Sequence, residues 1–367
     1  MAKAFLARER LGALLKGLCD AGYRCVGPRL RDGAIVYDTL ESADDLPRGV
    51  RDAQAPGVYR HEVTAGPRCF AWANGPQALK PLVFAPSETL WEARRNQAGA
   101  LQFVEAAPAA GALAVLGVRA CDLAALRLQD RHFLEGPQPD RAYAARRAAL
   151  FLVAVNCSHP AETCFCVSTG DGPAADAGFD IAMDELDAGF VVEAGSDAGR
   201  EVLDRLALPA ADEAAIEAVG SQRRAAAGGQ VRGLPSRDLR DALLTRLEHP
   251  RWEQVAARCL ACGNCTQVCP TCFCHAHEAR PRLDGRASEH LRRWDSCFTQ
   301  GHSYIHGLTV RADIRSRYRQ WLTHKLGTWH DQYGRSGCVG CGRCITWCPT
   351  GIDITEEAAA ICGDGGP

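Results

Sequence analysis

The chain has 367 residues, 47% of them hydrophobic, and 42 basic side chains stand against 44 acidic ones for a net charge of −2. That length suffices for about two domains with their own cores, and the near-neutral balance excludes bulk attraction to nucleic acid or an anionic membrane. No apolar run approaches the roughly 20 residues of a membrane span. The first ten residues carry Lys3, Arg8, Glu9 and Arg10 with no apolar h-region. No nucleic-acid or membrane partner is therefore expected, and the expected compartment is the cytoplasm. Nineteen cysteines in a chain of this size and ordinary apolar content point to reduced, metal-bound thiols rather than a secreted disulfide scaffold.

Phe5, Leu6, Leu11, Leu14, Leu15 and Leu18 recur at spacings of three and four, which predicts an amphipathic helix over Ala4–Leu18 ending near Gly22. Tyr23–Leu40 reads as a hairpin turning at Arg31-Asp32-Gly33. Val58–His61 and Cys69–Trp72 are short strand candidates. Cys19, Cys25 and Cys69 are scattered singly and read as buried packing residues. Leu82–Pro86 is expected as a short apolar strand, with Ser87 capping a helix over Glu88–Arg95.

From there strands and helices alternate. Gly111–Val118 reads as a buried strand, Leu123–Phe133 as a helix and Ala149–Val155 as a second buried strand. Phe179–Leu186 and Phe190–Glu193 read as a strand pair and Asp197–Leu208 as a helix. The alternation suggests a partly parallel α/β core. Cys121 and Cys157 each follow a buried strand, and Cys164 and Cys166 come soon after. If the two strands are neighbours, all four thiols meet at the C-terminal edge of the sheet, where ligands usually sit. Four thiols there suffice for a third iron–sulfur cluster; four structural or free cysteines are the alternative.

Pro209–Gln230 is an alanine-rich helical connector, and Asp238–Leu247 and Trp252–Arg258 are helices leading into a cysteine run. That run is Cys259, Cys262, Cys265, Cys269 and Pro270; a second is Cys338, Cys341, Cys344, Cys348 and Pro349. Both read C-x2-C-x2-C-x3-C-P, the spacing of bacterial two-cluster ferredoxins. Three thiols of one loop converge on one cubane, and the fourth, carried away by the following helix, serves the other. The expected pairing is crossed: Cys259, Cys262, Cys265 with Cys348, and Cys338, Cys341, Cys344 with Cys269. Gly263, Gly342 and Gly351 are expected to let the backbone approach a cluster. Zinc would be satisfied by two separated pairs and gives no reason for a third thiol in each loop.

Thr163-Cys164-Phe165-Cys166 is echoed as Thr271-Cys272-Phe273-Cys274, and Cys297 follows in Trp294-Asp295-Ser296-Cys297. Cys272, Cys274 and Cys297 thus form a further group, either an additional site or neighbours that tune the ferredoxin-type clusters. The insertion between the runs, residues 271–337, holds Arg311, Arg315, Arg317, Arg319 and Lys325 interleaved with Ile314, Tyr318, Trp321 and Leu322. This is an amphipathic helix pattern, either offsetting cluster charge or simply solvated. His302, His306 and His324 are weaker candidate metal ligands, with core or surface roles as the alternative. The tail after Ile361 is expected to be frayed.

Several of these stretches together resemble the beta subunit of soluble NiFe hydrogenases, or sulfhydrogenases. They are Gly117–Leu123, Asn156-Cys157 with Thr163–Cys166, Cys259–Cys274, Trp294–Cys297 and Cys338–Pro349. The same set is similar to the iron–sulfur subunit of anaerobic sulfite reductase. The resemblance runs from about Leu82 to Ile361. It implies an electron-transfer subunit in a cytoplasmic complex, beside a flavin subunit that binds NAD(P)H. The other partners it implies are hydrogenase small and large subunits, or a siroheme sulfite reductase subunit.

The expected fold is mixed α/β: an N-terminal helix and hairpin region (1–81), an α/β domain (82–230), and a mostly helical domain (231–367) holding the two-[4Fe–4S] module. The chain shows no G-x-G-x-x-G after a strand and no P-loop, so neither flavin nor NAD(P) is expected to bind it. No paired carboxylates or nucleophile–base pattern marks a catalytic residue. The rival of a different class is a zinc-binding structural or interaction module.

Overall fold

The computed structural model describes residues 3–106 and 111–363. Leu113–Val118 and Leu150–Val155 run parallel as neighbours at the centre of a seven-stranded sheet. Arg24–Arg31 and Ile181–Leu186 flank them, also parallel. Ala34–Thr39 closes one edge; Gly189–Ala194 and then Ala4–Ala7 close the other, all antiparallel. Strands from before and after residue 82 thus lie side by side in one sheet.

Successive strand side chains point to opposite faces, and the sheet is covered on both. Ala114, Leu116, Val153 and Met183 pack with Leu14, Leu18, Val202 and Leu206 from the Leu11–Asp20 and Asp197–Leu206 helices. Val115, Val118, Leu152 and Ala154 pack with Leu123, Leu126 and Phe133 of the Ala120–Leu134 helix and with Tyr143. Burial on both faces explains why these strands read as continuous apolar runs. The Glu213–Gly228 helix is tied to the sheet where Arg223 ion-pairs with the buried Asp184 at 2.5 Å.

The C-terminal part is a helical shell around the two cysteine loops. Helices Leu239–Leu244, Arg251–Ala256, Ile314–Thr323 and Ile354–Cys362 supply Leu243, Trp252, Tyr318, Leu322, Ile354 and Ile361 to one core with Ile345. Glu357, fully buried, accepts from Arg251 at 2.6 Å and ion-pairs with Arg258 at 2.5 Å, which anchors the chain just before Cys259. The insertion also contributes strands His275–Pro281 and Ala287–Trp294. These form an antiparallel four-stranded sheet with Ser87–Arg95 and Leu101–Glu105. Among the described residues, no helix is long and apolar enough to cross a membrane.

Several local expectations are corrected. Residues Ala4–Ala7 form a strand on Gly189–Ala194, and the helix is only Leu11–Asp20. Lys80–Val83 is a short helix, where Pro81 suits the first turn. Ser87–Arg95 is a strand, not a capped helix; besides the nearby Leu101–Glu105 it pairs with Ala287–Trp294 some 200 positions away, with Glu88 bonded to Arg292 and, at 2.5 Å, to Arg146. That non-local pairing overrides local propensity. Cys69–Trp72 joins no strand, because the Cys69 and Phe70 amides donate to the Glu185 carboxylate, each at 2.7 Å. Cys25 and Cys69 are buried as expected, but Cys19 is exposed. The end of the tail, residues 364–367, lies outside the described residues; within them, Cys362 is buried in the last helix.

Candidate iron–sulfur centres

The two cysteine loops repeat one backbone design. The third residue of each is left-handed, Ala261 at φ 51° and Gly340 at φ 62°, and so is the fifth, Gly263 at φ 74° and Gly342 at φ 73°. Each loop then enters a one-turn helix, Asn264–Gln267 or Arg343–Thr346. The first turn directs an amide inward: Ala261 N–H donates to Cys259 Sγ and Gly340 N–H to Cys338 Sγ, both at 3.4 Å. Successive inward amides make a concavity suited to an anion. Ala261 holds this conformation at a cost of about 1–2 kcal/mol.

The two loops meet: one cavity is lined by Cys259, Cys262 and Cys265 of the first run with Cys344 and Cys348 of the second, walled by Phe298, Tyr318 and Trp321. Cys269 interacts electrostatically with Cys338, Cys341 and Cys344. Burial pushes the Cys259, Cys265, Cys341 and Cys344 thiols up, and Cys338 to about 12. Metal-free, these five would stay protonated; bound iron makes the thiolate tenable. Cys269 moves the other way. A hydrogen bond from Cys272, with the Lys325 and Lys80 ammonium groups nearby, holds it well below the usual thiol range.

A further set of four thiols gathers at the C-terminal edge of the parallel strands. Cys121 and Cys341 interact with Cys166, and Cys164 interacts with Cys157 and Cys166. A bulge at Gly117 (φ 83°) re-aims the chain there. It brings in the fully buried Arg119, which donates to the carbonyls of Phe70, Trp72, Val155 and Asn156 and faces Cys157. Asn74 Nδ2 donates to Cys121 Sγ at 3.4 Å, and Gln230 Nε2 to Cys166 Sγ at 3.2 Å.

This group abuts the second ferredoxin-type loop. A Cβ on Gly340 would come within 2.5 Å of the Cys166 backbone, and one on Gly342 within 2.3 Å of the Thr163 carbonyl. Gly351 lies against Pro56 and Gly263 against Ser296. The notch each glycine leaves is thus filled by protein. Arg343 in the loop ion-pairs with Asp122 at 2.8 Å, both side chains 1% exposed, and donates to the Gly75 carbonyl.

The second copy of the echo lies elsewhere. Cys272 bonds Cys269, Cys274 interacts with Cys297, and Cys297 with Cys265. Phe273 stacks on His132. Of the cationic insertion residues, Lys325 and Arg311 face thiols. Arg315 and Arg319 pair with Glu248, and Arg317 caps the carbonyls of Phe298, Arg311 and Ala312. His302 bonds Asp295 Oδ2 at 2.7 Å. His306 is exposed in a turn and His324 bonds Gln332. Among the described residues, no three Cys, His, Asp or Glu side chains close on a point suited to one ion.

Lys80, Arg119, Asp122, Arg343, Asn74 and Gln230 were not singled out from the sequence. Arg119 and Asp122 flank Cys121, and Arg343 lies between Cys341 and Cys344; Lys80, Asn74 and Gln230 come from separate segments.

A family model described as "4Fe-4S dicluster domain" matches residues 258–352, which implies two 4Fe–4S clusters. The sulfhydrogenase 2 subunit beta of Pyrococcus furiosus is 31% identical over 280 residues, covering 75% of this chain and 79% of that one. No solved structure matches.

Proposed function

The chain belongs to the sulfhydrogenase beta-subunit family, an iron–sulfur electron-transfer subunit, and from that premise we propose that it relays electrons within a cytoplasmic NAD(P)-linked NiFe hydrogenase. The relay runs between a flavin subunit that binds NAD(P)H and the hydrogenase or sulfur-reducing centre. Substrate conversion belongs to those partners. The observation that supports the reading is the shared cavity that Cys259, Cys262 and Cys265 of the first run line together with Cys344 and Cys348 of the second.

Bound clusters supply one-electron exchange; the chain's own residues decide where and at what potential. The eight run cysteines hold two clusters in the crossed pairing, and Cys121, Cys157, Cys164 and Cys166 hold a third beside Cys341. Amides of Ala261 and Gly340, with Arg119 and Lys325, offset negative charge. Phe298, Tyr318, Trp321, Ile352 and Ile354 keep water from the first cavity. Cys262 is exposed and Leu260 is 64% exposed beside it, which supports this end as the contact with a partner.

Two measurements on the anaerobically purified full chain test the assignment. Cys348→Ser is expected to abolish the same electron paramagnetic resonance signal as Cys259→Ser, and Cys269→Ser the same signal as Cys338→Ser; uncrossed losses would refute the pairing. Cys164→Ser/Cys166→Ser is expected to hold about four fewer iron atoms than the parent, and an unchanged count removes the third cluster. A colourless, dithionite-silent protein with about two zinc atoms would favour the zinc module instead. Co-purifying polypeptides separate the two redox readings: one predicts a nickel–iron large subunit, the other a siroheme protein.

A further inference from the structure

We propose that Cys19 and Cys25 form a reversible oxidation site, closing to a disulfide when a hydroperoxide reaches Cys19. Neither cysteine belongs to a candidate cluster group, so the site is independent of the electron-transfer reading.

The two thiols already touch. Cys19 Sγ and Cys25 Sγ lie 3.7 Å apart in a thiol hydrogen bond, and neither is in a disulfide. A disulfide holds its sulfurs at about 2.05 Å, so the side chains have little further to move.

The backbone fixes that juxtaposition from both sides. Cys19 lies in the last turn of the Leu11–Asp20 helix, and Cys25 is the second residue of the Arg24–Arg31 strand. Gly22, at φ 91°, donates to the Cys19 carbonyl at 2.9 Å, and Tyr23 donates to the Leu18 carbonyl at 3.1 Å. Two such bonds around a left-handed glycine make a defined helix stop. Tyr23 then packs on Phe151 with ring centres 5.2 Å apart. The Arg24 amide donates to the Ala112 carbonyl at 3.0 Å, and Cys25 pairs with Ala114. The facing of the thiols therefore belongs to the fold rather than to two mobile side chains.

Access to the two is unequal. Cys69 and Cys362 are buried, as packing thiols are, and Cys25 is 2% exposed with its Sγ 3.9 Å from the Leu15 carbonyl. Cys19 is exposed. An oxidant thus meets Cys19 first, with a sheltered second thiol beside it, the arrangement of a reacting and a resolving cysteine. Burial, the hydrogen bond with Cys19 and the Cys19 charge push the Cys25 thiol up to about 12. Both Cys19 contributions disappear once Cys19 is oxidised, which favours the closing step.

The chemistry balances. Cys19 Sγ attacks the terminal oxygen of the hydroperoxide, the O–O bond breaks, and the alcohol leaves with the Cys19 proton. Cys19 is then a sulfenic acid. Cys25 Sγ attacks Cys19 Sγ, the S–S bond forms, the S–O bond breaks, and water leaves with the Cys25 proton. Two electrons pass from the thiols to the peroxide, and a dithiol reverses the bridge by exchange.

The position keeps this apart from the clusters. Cys25 pairs near the start of Leu113–Val118, whereas Cys121 follows that strand's other end. The pair can respond to peroxide without using a candidate cluster ligand.

The test treats the full, cluster-loaded chain with one equivalent of tert-butyl hydroperoxide, alkylates the remaining thiols in denaturant and digests with trypsin. Cleavage at Arg24 separates the two cysteines, so the bridge joins peptides Gly17–Arg24 and Cys25–Arg29. The linked species is expected about 2 Da below the sum of its parts, and dithiothreitol is expected to split it. Cys25→Ala is expected to lose it and leave Cys19 as a sulfenic acid that dimedone labels. Cys19→Ser is expected to lose it and leave Cys25 unoxidised. A treated parent with both cysteines recovered alkylated, or with Cys19 bridged to another cysteine, overturns the proposal. Should Cys25→Ala fail to fold, the parent and Cys19→Ser decide.

Discussion

Lys325→Met is expected to make the cluster on Cys338, Cys341, Cys344 and Cys269 harder to reduce by on the order of 100 mV, with a unit charge at roughly 6 Å worth about 3 kcal/mol at an effective dielectric of about 20 and about 59 mV corresponding to 1.4 kcal/mol for one electron. Lys325 is buried, points at Cys269, Cys272 and Cys338, and is held by the Thr271 hydroxyl at 2.9 Å. Reduction adds a negative charge, so removing the neighbouring cation lowers the potential. Methionine keeps the unbranched stem beside the Trp329 ring. A redox titration followed by electron paramagnetic resonance reads the shift directly. A midpoint that rises, or moves by less than about 20 mV, would show that Lys325 serves packing alone.

Arg343→Met is expected to cost about 3–5 kcal/mol of stability, because it strands Asp122 as an unpaired charge in the interior. Both partners are 1% exposed, and the pair joins the Ala120–Leu134 helix to the second cysteine loop. Asp122 has one other side-chain donor, Asn74 Nδ2 at 3.0 Å, which cannot neutralise it. The double variant Asp122→Leu/Arg343→Met is expected to recover much of the loss, since replacing both partners of a buried pair is often near neutral. Thermal melts of the loaded chain compare parent, single and double variants. A single variant melting within a degree or two of the parent would mean the pair is not the strut between the sheet edge and the loop.

Both predictions turn on groups that no local pattern displayed. Lys325 looked like one cation of an amphipathic helix; Arg315 and Arg319 are half-buried partners of the exposed Glu248. Helical periodicity places a residue on a face but does not say which face meets the thiols. Arg343 sits at a non-cysteine position inside a cysteine run, between Cys341 and Cys344. Only its packing against Asp122 and Gly75 gives it weight.

The buried strands and their order of alternation were legible because each is an apolar run whose helices follow at short range. The Ser87–Arg95 stretch was not, since it sits between Leu101–Glu105 and the distant Ala287–Trp294, and Glu88 is held by ion pairs to Arg146 and Arg292. The Cys69–Trp72 stretch failed for a related reason: its amides are satisfied by Glu185 and its neighbour Ala73 by Asp52.

By itself the sequence determined the cluster chemistry of the two runs. Cysteine spacing sets which thiols can share a loop, and loop geometry is local: the repeated left-handed residues at Ala261, Gly263, Gly340 and Gly342 follow from the same short motif twice. Tertiary structure alone decided what surrounds those loops. The meeting of Cys121 and Cys157 with Cys164 and Cys166 depends on two strands lying side by side. The approach of His302 to Cys274, and of Lys80 and Lys325 to both cysteine groups, joins segments up to about 190 positions apart. Charge and burial act through space, so the features that set potential and stability are the ones a linear reading leaves unassigned.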